Sequence, residues 1–299
     1  IEIPFGNTIR GRILAEVVDV GNASIKKGHF ISVEDADILE KSPLESVIVR
    51  SPMTCKTLSG ICRQCYGMDL TSNELIEIGE AVGTVAAQAI GEPGTQLTMR
   101  TFHSGGTASV GGDITHGLPR VEEVFEKRAP KSAAVIAKMA GTVTEIREEG
   151  REKIIVVLPD VGEKASKDRK ATEYTAQFRR MVFVKTGDHV EKGDILTDGS
   201  AVIPDLFKYA GKEKAQNYII NEISRVYELQ GASISRKHIE VIIKQMFSRG
   251  KVKDPGDSNF TTGDVVSLAQ LAEEQATIKE KGGTPPVVDP IVLGITEFS

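Results

Sequence analysis

The sequence predicts an α+β fold made of several modules that follow one another along the chain. Residues 1–50 and 131–204 alternate apolar and polar residues between glycine-containing turns, which is typical of short strands. Residues 205–250 carry apolar residues at helical spacing, with a break at 231–235. Between these parts lies 91–106, a segment with glycines near both ends and a polar helical face. We therefore expect a helical hairpin between β-rich modules, followed by a helical pair.

Composition limits the class of protein. The chain has 299 residues, of which 40% are hydrophobic and 26% charged, as is usual for a globular protein with two or three compact modules. No apolar run approaches the length of a membrane span, and the first residues lack a signal-peptide pattern. A net charge of −5 argues against a free-standing nucleic-acid binder. Both ends read as cut, so we expect a piece of a longer cytoplasmic protein.

We divide the chain into five segments. They are a β-rich module with the cysteines (1–79), a helix with a hairpin (80–130), a second β-rich module (131–204), a helical pair (205–250) and a β-rich C-terminal segment (251–299). A brief helix is expected at 34–40, and another at 268–280. The glycine- and proline-rich connection at 282–290 predicts irregular backbone, followed by a final strand.

Three cysteines lie within eleven residues, in CKTLSGICRQC. Cys62 and Cys65 have the spacing of a zinc knuckle, and Cys55 can return to them across a hairpin. A structural zinc site normally has four ligands, so one is missing; His29 is a candidate that is remote in sequence. The alternatives are three reduced structural cysteines or a redox pair, and the redox pair is disfavoured because no βαβ frame surrounds it.

The segment 91–106 contains the second chemical signal. In a helix, Gln96, Met99, Arg100 and His103 fall on one face, at i, i+3, i+4 and i+7. An arginine fork binds phosphate, a histidine exchanges a proton near neutral pH, and a methionine packs on a ring. This face suits a nucleoside triphosphate, although a surface helix with an ordinary arginine and histidine is an open alternative. An alanine-rich helix at 81–90 precedes it as a rigid hinge, and a second arm is expected at 113–128.

These residues also carry a family resemblance. GEPGTQLTMRTFHSGG, followed by GDITHGLPRVEEVFE, resembles the trigger loop of the bacterial RNA polymerase β′ family. The resemblance implies that Gln96 senses the sugar, that Met99 stacks on the base, and that Arg100 and His103 face the triphosphate. It leaves open whether His103 is a general acid or a positional catalyst. It also implies that Cys55, Cys62 and Cys65 bind structural zinc with a fourth cysteine upstream of residue 1.

The stretch 131–204 contains repeated Gly-Asp turns, as in KTGDHVEKGDIL. This phrase resembles the barrel-sandwich hybrid fold, which occurs in biotinyl and lipoyl carriers and in parts of β′. A carrier needs its modified lysine at an exposed hairpin tip. The nearest candidate, Lys138, is predicted within a strand, so the carrier alternative is weak.

The helical pair at 205–250 has Ser235 as its expected internal N-cap. Its basic residues suit a helix-turn-helix DNA reader, but a packed pair with a solvated charged side is favoured. These basic residues are Arg236, Lys237, Lys244, Arg249, Lys251 and Lys253. SRKHIEVIIKQM again resembles β′, where this pair lies near the jaw.

The resemblance implies a role in transcription by DNA-directed RNA polymerase, a nucleotidyltransferase. The other polymerase subunits (β, α, ω and σ), the rest of β′, downstream DNA and nucleoside triphosphate are the implied partners, and no membrane is implied. The magnesium triad of the family is missing, since the phrase at Asp35 lacks its third carboxylate, so magnesium binds outside this chain and the segment alone is inactive. We assign no organic-cofactor site. The alternative is a structural and interaction module of the jaw type without activity of its own.

Overall fold

The computed structural model describes residues 5–20, 23–44, 46–94, 117–160 and 171–298. The residues of the predicted polar helical face, Gln96, Met99, Arg100 and His103, lie outside these ranges. The chain forms two compact units: unit 1 comprises 1–93 and 232–291, and unit 2 comprises 94–231 and 292–299. Both units combine helices with antiparallel sheets, which confirms the α+β class. The five sequence segments stay a prediction.

The helices of the described residues are α1 (Phe5–Ile9), α2 (Val33–Glu40), α3 (Arg63–Tyr66), α4 (Val82–Gly91), α5 (Leu118–Phe125), α6 (Ile203–Leu229), α7 (Arg236–Met246), α8 (Leu268–Glu280) and α9 (Ile295–Phe298). A 3-10 turn covers Pro52–Thr54. The strands are β1 (Val18–Val20), β2 (Ala23–Ile25), β3 (Gly141–Glu149), β4 (Glu152–Pro159), β5 (Thr172–Gln177), β6 (His189–Val190), β7 (Arg249–Asp254), β8 (Val265–Ser267) and β9 (Val287–Ile291). None of these helices has the length and apolar content that crossing a membrane requires.

The N-terminal part of unit 1 packs a small hairpin against α2. Strands β1 and β2 pair antiparallel, and Leu14, Ile31 and Leu39 form the fully buried centre of this core. The predicted helix at 34–40 is confirmed. Its first turn is held by a capping box, in which the Asp35 N–H donates to Ser32 Oγ at 3.1 Å and the Ser32 N–H donates to Asp35 Oδ2 at 3.0 Å.

The C-terminal part of unit 1 is a sheet in the order β8-β7-β9, packed on α8 through Val252, Val266 and Leu271. Helix α8 has the predicted bounds. The expectation of irregular backbone throughout 282–290 is wrong, because Val287–Ile291 is a strand that includes Pro290. This strand lies at the edge of the sheet, where a proline, which lacks an N–H, is tolerated.

Unit 2 is built on an antiparallel sheet in the order β5-β4-β3-β6. Its core contains Val143, Ile155 and Leu196. The prediction of a strand at Lys138 is wrong: this exposed lysine lies in a bend before β3. Its N–H donates to Tyr174 Oη at 2.8 Å, and the backbone of the preceding Ala137 bonds to 193–194. The sequence predicts one helix from 205 to 230, but the backbone leaves helical geometry at Gly211, with φ 87°. A Cβ at Gly193 would lie 2.2 Å from the Cβ of Ala210, so the turn at Gly193-Asp194 lies directly against the residue before this break.

A buried ion cluster joins α5 to α6. Arg120 donates to Glu123 Oε2 at 2.7 Å, to Glu222 Oε2 at 2.8 Å and to Tyr218 Oη at 3.2 Å. Burial opposes the charge of Arg120, but the carboxylates outweigh burial and raise its pKa. Pro119 lies in the first turn of α5, the position at which a helix accepts proline.

The Arg120 cluster predicts that Arg120→Met lowers the free energy of unfolding of unit 2 by about 3–5 kcal/mol, because Glu123 and Glu222 then lack their cation. Urea denaturation followed by circular dichroism measures the change, and hydrogen exchange over 203–229 localises it. Arg147→Met is the matched control, since Arg147 makes its ion pairs at the surface and its loss should have little effect. Equal effects of the two substitutions would contradict the prediction.

Candidate metal centre

The three cysteines lie on a compact turn structure at 51–67 of unit 1. Ser51 caps the 3-10 turn by accepting a hydrogen bond from the Met53 N–H at 3.1 Å, and Cys55 follows the turn as its C-cap. The chain then bends back at 58–60, and Cys62 is the N-cap of α3, which contains Cys65. Gly67 ends α3 at φ 81°, where a Cβ would meet the Gly11 oxygen at 2.2 Å. This close backbone approach fixes the turn against the N-terminal part of the unit.

This local fold brings the sulfurs of Cys55, Cys62 and Cys65 within 4.8 Å of one another. All three are free thiols, and Cys65 is buried. Tetrahedral zinc with Zn–S bonds of about 2.3 Å holds its sulfurs about 3.8 Å apart, so a small inward movement suits this set to the ion. Within the described ranges no further His, Cys, Asp or Glu joins the group. His29, the remote candidate, bonds through Nε2 to Asp35 Oδ2 at 2.9 Å instead.

The thiols differ in their electrostatic surroundings. Burial opposes ionisation of Cys55, but hydrogen bonds from the Cys62 N–H at 3.3 Å and from Thr57 outweigh it and lower its pKa to about 6. Burial has the largest effect on Cys65 and raises its pKa to about 11, although a hydrogen bond from Arg50 acts in the opposite direction. The sulfur of Cys55 thus ionises readily, whereas a thiolate at Cys65 requires a counterion close by.

Helix α7 supports the cysteine turn from one side. The Lys244 ammonium donates to the Gly60 carbonyl at 2.7 Å, and the Lys237 ammonium donates to the Met68 carbonyl. Val241 of the same helix packs against Tyr66, the neighbour of Cys65. The cysteine turn is therefore held at its tip and at its end by one helix.

A buried ion pair fixes this helix to the rest of unit 1. Arg12 donates to both oxygens of Glu240, at 2.7 and 2.9 Å, and both side chains are less than a tenth exposed. Ser51 Oγ donates to Glu240 Oε2 at 2.8 Å, and Arg236 Nε donates to Oε1 at 3.2 Å. Glu240 thus joins the N-terminal part, the cap of the 3-10 turn and α7 in one network.

Two basic side chains of α7 are buried beside this network. The Lys237 ammonium lies 4.6 Å from the centre of the Tyr66 ring, and burial together with the charge of Arg12 lowers its pKa to about 8. His238 is 3% exposed, and its Nδ1 has no hydrogen-bond partner among the described residues. Burial, with Lys237 and Arg12 nearby, lowers the pKa of His238 to about 4, so its ring is neutral at physiological pH.

The basic stretch of the sequence is consequently only in part a solvated face. Lys237 is buried, Lys244 binds the cysteine turn, and Arg236 bonds to Glu240. Lys253 pairs with Asp289 at 3.3 Å on the surface, and Lys251 is exposed. The assignment of Lys237 to a solvent-facing basic side is wrong, because residues far away in sequence cover it.

The segment that carries Gln96, Met99, Arg100 and His103 lies outside the described residues, but the helices before and after it are described. Helix α4 ends at Gly91, close to the predicted end at residue 90, and α5 begins at Leu118. Ala86 of α4 packs with Tyr66, Ile76 and Val241.

Comparison with known proteins adds to this geometry. The family described as RNA polymerase Rpb1, domain 5, matches residues 39–297. The chain belongs to this family.

Individual relatives are similar over nearly the whole chain. The DNA-directed RNA polymerase subunit β′ of Caldanaerobacter subterraneus subsp. tengcongensis is 46% identical over 291 residues, which is 97% of this chain and 24% of the relative. That of Moorella thermoacetica is 44% identical over 294 residues, again 97% and 24%. That of Symbiobacterium thermophilum is 41% identical over 305 residues, covering 99% and 25%. The resemblance to β′ is confirmed, and this Rpb1 domain 5 chain spans about a quarter of the length of these relatives.

Sequence reasoning did not find Arg12, Ser51, Glu240 or Arg120 as residues that position the sites. No local pattern marks them, because each also meets at least one partner about a hundred or more residues away in the chain. The alternation of charged and apolar residues in KHIEVIIK was the available signal, since it places Glu240 between buried apolar neighbours.

The Glu240 network predicts that Glu240→Gln lowers the free energy of unfolding of unit 1 by about 3–5 kcal/mol, because Arg12 stays buried without a full counter-charge. Hydrogen exchange over 51–68 should also accelerate, since Ser51 loses a charged acceptor. Glu273→Gln, at an exposed position of α8, is the control and should leave both measurements nearly unchanged. Exchange at the parent rate over 51–68 in the Glu240 variant would contradict this.

The neutral His238 ring predicts a dependence on pH. Its pKa is about 4 in the folded chain and close to 6.5 when unfolded, so between these values the unfolded chain binds a proton that the folded chain does not. The contribution of His238 to the free energy of unfolding is complete above pH 6.5 and falls by up to about 1.4 kcal/mol per pH unit as the pH drops towards 4. His238→Leu should remove this part of the slope in urea titrations at a series of pH values. Identical slopes in parent and variant would refute it.

Proposed function

We propose that the chain works as part of the β′ subunit of a bacterial DNA-directed RNA polymerase, in template-directed nucleotidyl transfer. The observation that carries this proposal is the similarity to β′ subunits over 97% of the chain. In the reaction, an RNA 3′ oxygen attacks the α-phosphorus of a nucleoside triphosphate and pyrophosphate leaves. Carboxylates that bind the catalytic magnesium would come from outside this chain. The 299-residue chain alone is therefore expected to be inactive.

The segment 95–116 is proposed to act as the trigger loop that closes on the incoming nucleotide. Arg100 and His103 would face the triphosphate and stabilise the charge that develops as pyrophosphate leaves, while Met99 packs on the base and Gln96 contacts the sugar. The helices on either side support this proposal. Packing within unit 1 holds α4, and the Arg120 cluster within unit 2 holds α5, so each end of the segment adjoins a helix that is held within its own unit.

Cys55, Cys62 and Cys65 are proposed to bind structural zinc, with a fourth ligand from β′ outside this chain. The convergence of the three sulfurs and the low pKa of Cys55 support this role. When bound, the ion would supply a crosslink between the two ends of the cysteine turn and no catalytic chemistry. The chain's own contribution is to hold the sulfurs together through Ser51, Gly67 and α7.

A second role, as a jaw-type interaction module, is favoured by surface features. Phe178, Met181 and Phe183 of unit 2 are 47%, 63% and 58% exposed, which is unusual for large apolar side chains. Lys251 of unit 1 is exposed and basic, as a phosphate contact requires. The other polymerase subunits, regulators and downstream DNA are the partners in this proposal, within the cytoplasm.

The experiment that tests the main proposal uses the complete polymerase. His103→Gln and Arg100→Ala should each slow single-nucleotide addition by roughly 10- to 100-fold, because each removes a group placed to stabilise developing charge. Rapid-quench kinetics on a preassembled elongation complex gives this rate. Retention of the complex on DNA at increasing salt concentration should stay close to that of the parent enzyme.

Lys251→Ala is the matched control, and the opposite pattern is expected of it. Loss of one phosphate contact weakens salt-dependent retention and leaves the rate of addition unchanged. If the His103 and Arg100 variants instead weakened DNA retention at normal addition rates, the roles assigned to the two regions would be wrong.

A further inference from the structure

Arg50 lies between the N-terminal part of unit 1 and the cysteine turn. Its backbone N–H donates to the Ile13 carbonyl at 2.8 Å, next to the bridge between Leu14 and Val49. Residue 51 then caps the 3-10 turn that leads to Cys55. The backbone of Arg50 is thus fixed on both sides before its side chain makes any contact.

The guanidinium of Arg50 faces sulfur rather than carboxylate. Its Nη2 lies 3.4 Å from Cys65 Sγ and 3.7 Å from Cys62 Sγ. Its Nε is buried and has no hydrogen-bond partner within the described part of the chain.

This arrangement is unusual for a half-buried arginine. A guanidinium away from water is normally satisfied by a carboxylate or phosphate, whose oxygens match its planar fork. Two neutral thiols are poor substitutes, because a thiol sulfur is a weak acceptor. Two metal-bound thiolates are better partners, since they are anionic and keep acceptor capacity after binding the ion.

The charges in the site lead to the same conclusion. Three thiolates around a divalent ion leave one excess negative charge, and a fourth would leave two. The site is partly buried, so excess charge is poorly solvated there unless a cation lies close by. Lys244 and Lys237 bond to backbone carbonyls, at Gly60 and Met68, rather than to sulfur. Arg50 is the cation whose contacts reach the sulfurs in the described structure.

We propose that Arg50 is a positioning residue of the metal centre: it donates N–H bonds to the sulfurs of Cys62 and Cys65 and offsets the negative charge of the metal-bound thiolates. This inference rests on the proposed binding of zinc by these cysteines. Arg50 does not bind the ion itself. It orients two of the ligands and makes their ionised form favourable inside the fold, as outer partners of metal ligands do.

The test is metal binding by the complete β′ subunit, which would supply the fourth ligand, with Co²⁺ as a spectroscopic probe and Zn²⁺ measured by competition. Parent chain, Arg50→Met and Arg50→Lys are compared under reducing conditions. Arg50→Met should bind both ions roughly 10- to 100-fold more weakly. Its thiolate-to-cobalt charge-transfer band should also shift, because thiolates that no longer accept N–H bonds donate electron density to the metal more readily. Arg50→Lys keeps the positive charge but loses the planar arrangement of N–H donors, so its affinity for the metal should lie between those of the parent and Arg50→Met.

The controls separate this role from a merely structural one. Arg10→Met removes an exposed arginine of the same unit that contacts Asn73 and not sulfur, and it should leave affinity and spectrum unchanged. Circular dichroism checks the folding of each variant. If Arg50→Met does not fold, Arg50→Lys decides the matter, because the proposal requires it to bind more weakly than the parent and to show a shifted band.

The outcomes distinguish the two proposals. Parent-like affinity and an unchanged band in the Arg50 variants would overturn the role of Arg50 while leaving the metal site intact. Absence, in the parent subunit, of a Co²⁺ band that Cys65→Ser removes would overturn the metal site and the role of Arg50 with it. Weaker binding in the Arg10 variant, equal to that in Arg50→Met, would show a general effect of charge and would also overturn the proposal.

Discussion

The buried contact between Arg12 and Glu240 is the interaction on which unit 1 depends. The two residues are 228 positions apart, and each would be strongly unfavourable inside the protein without the other. Two parallel hydrogen bonds from the Arg12 guanidinium to the Glu240 carboxylate satisfy both charges. Ser51 and Arg236 each donate one more hydrogen bond to that carboxylate. A bidentate pair breaks if either side chain moves by a small distance. The pair therefore fixes both the rotation of α7 about its own axis and its position along that axis. The other contacts of α7 with the cysteine turn follow from that position.

Much of the fold could be predicted because its signals are local. The capping box at Ser32 and the cap at Ser267 specify where α2 and α8 begin, and both helices were found where the sequence predicts them. The spacing of Cys62 and Cys65 likewise lies within one turn of chain. The grouping of Cys55 with them needs only a short hairpin closed at Gly60. In each case the residues that decide the structure are within about ten positions of one another, so a single sequence is sufficient.

The errors arose where distant residues decide. Lys237 reads as one of several surface cations, but it is buried, with its ammonium against the Tyr66 ring and the Met68 carbonyl. The strand at 287–291 contains a proline, which argues against regular structure from the sequence alone. The strand forms because it pairs with β7 at the edge of the sheet, where a residue without an N–H is tolerated. The break at Gly211 lies beside Ala210, which the turn at Gly193 approaches closely from outside the helix. None of these partners is visible from the neighbouring sequence.

The same packing holds α4, the helix that precedes the segment proposed as the trigger loop. Helix α4 has ten residues, and a helix of that length is marginal in water unless neighbours bury one of its faces. Those neighbours are Tyr66, which follows Cys65 directly, and Val241 of α7. Any force that holds Cys65 in place therefore also fixes the surface against which Ala86 packs. The position of α4 therefore depends on the cysteine turn and, through α7, on Glu240. A metal ion at the cysteines would act on the segment through this packing, as a rigid support rather than as a participant in the chemistry.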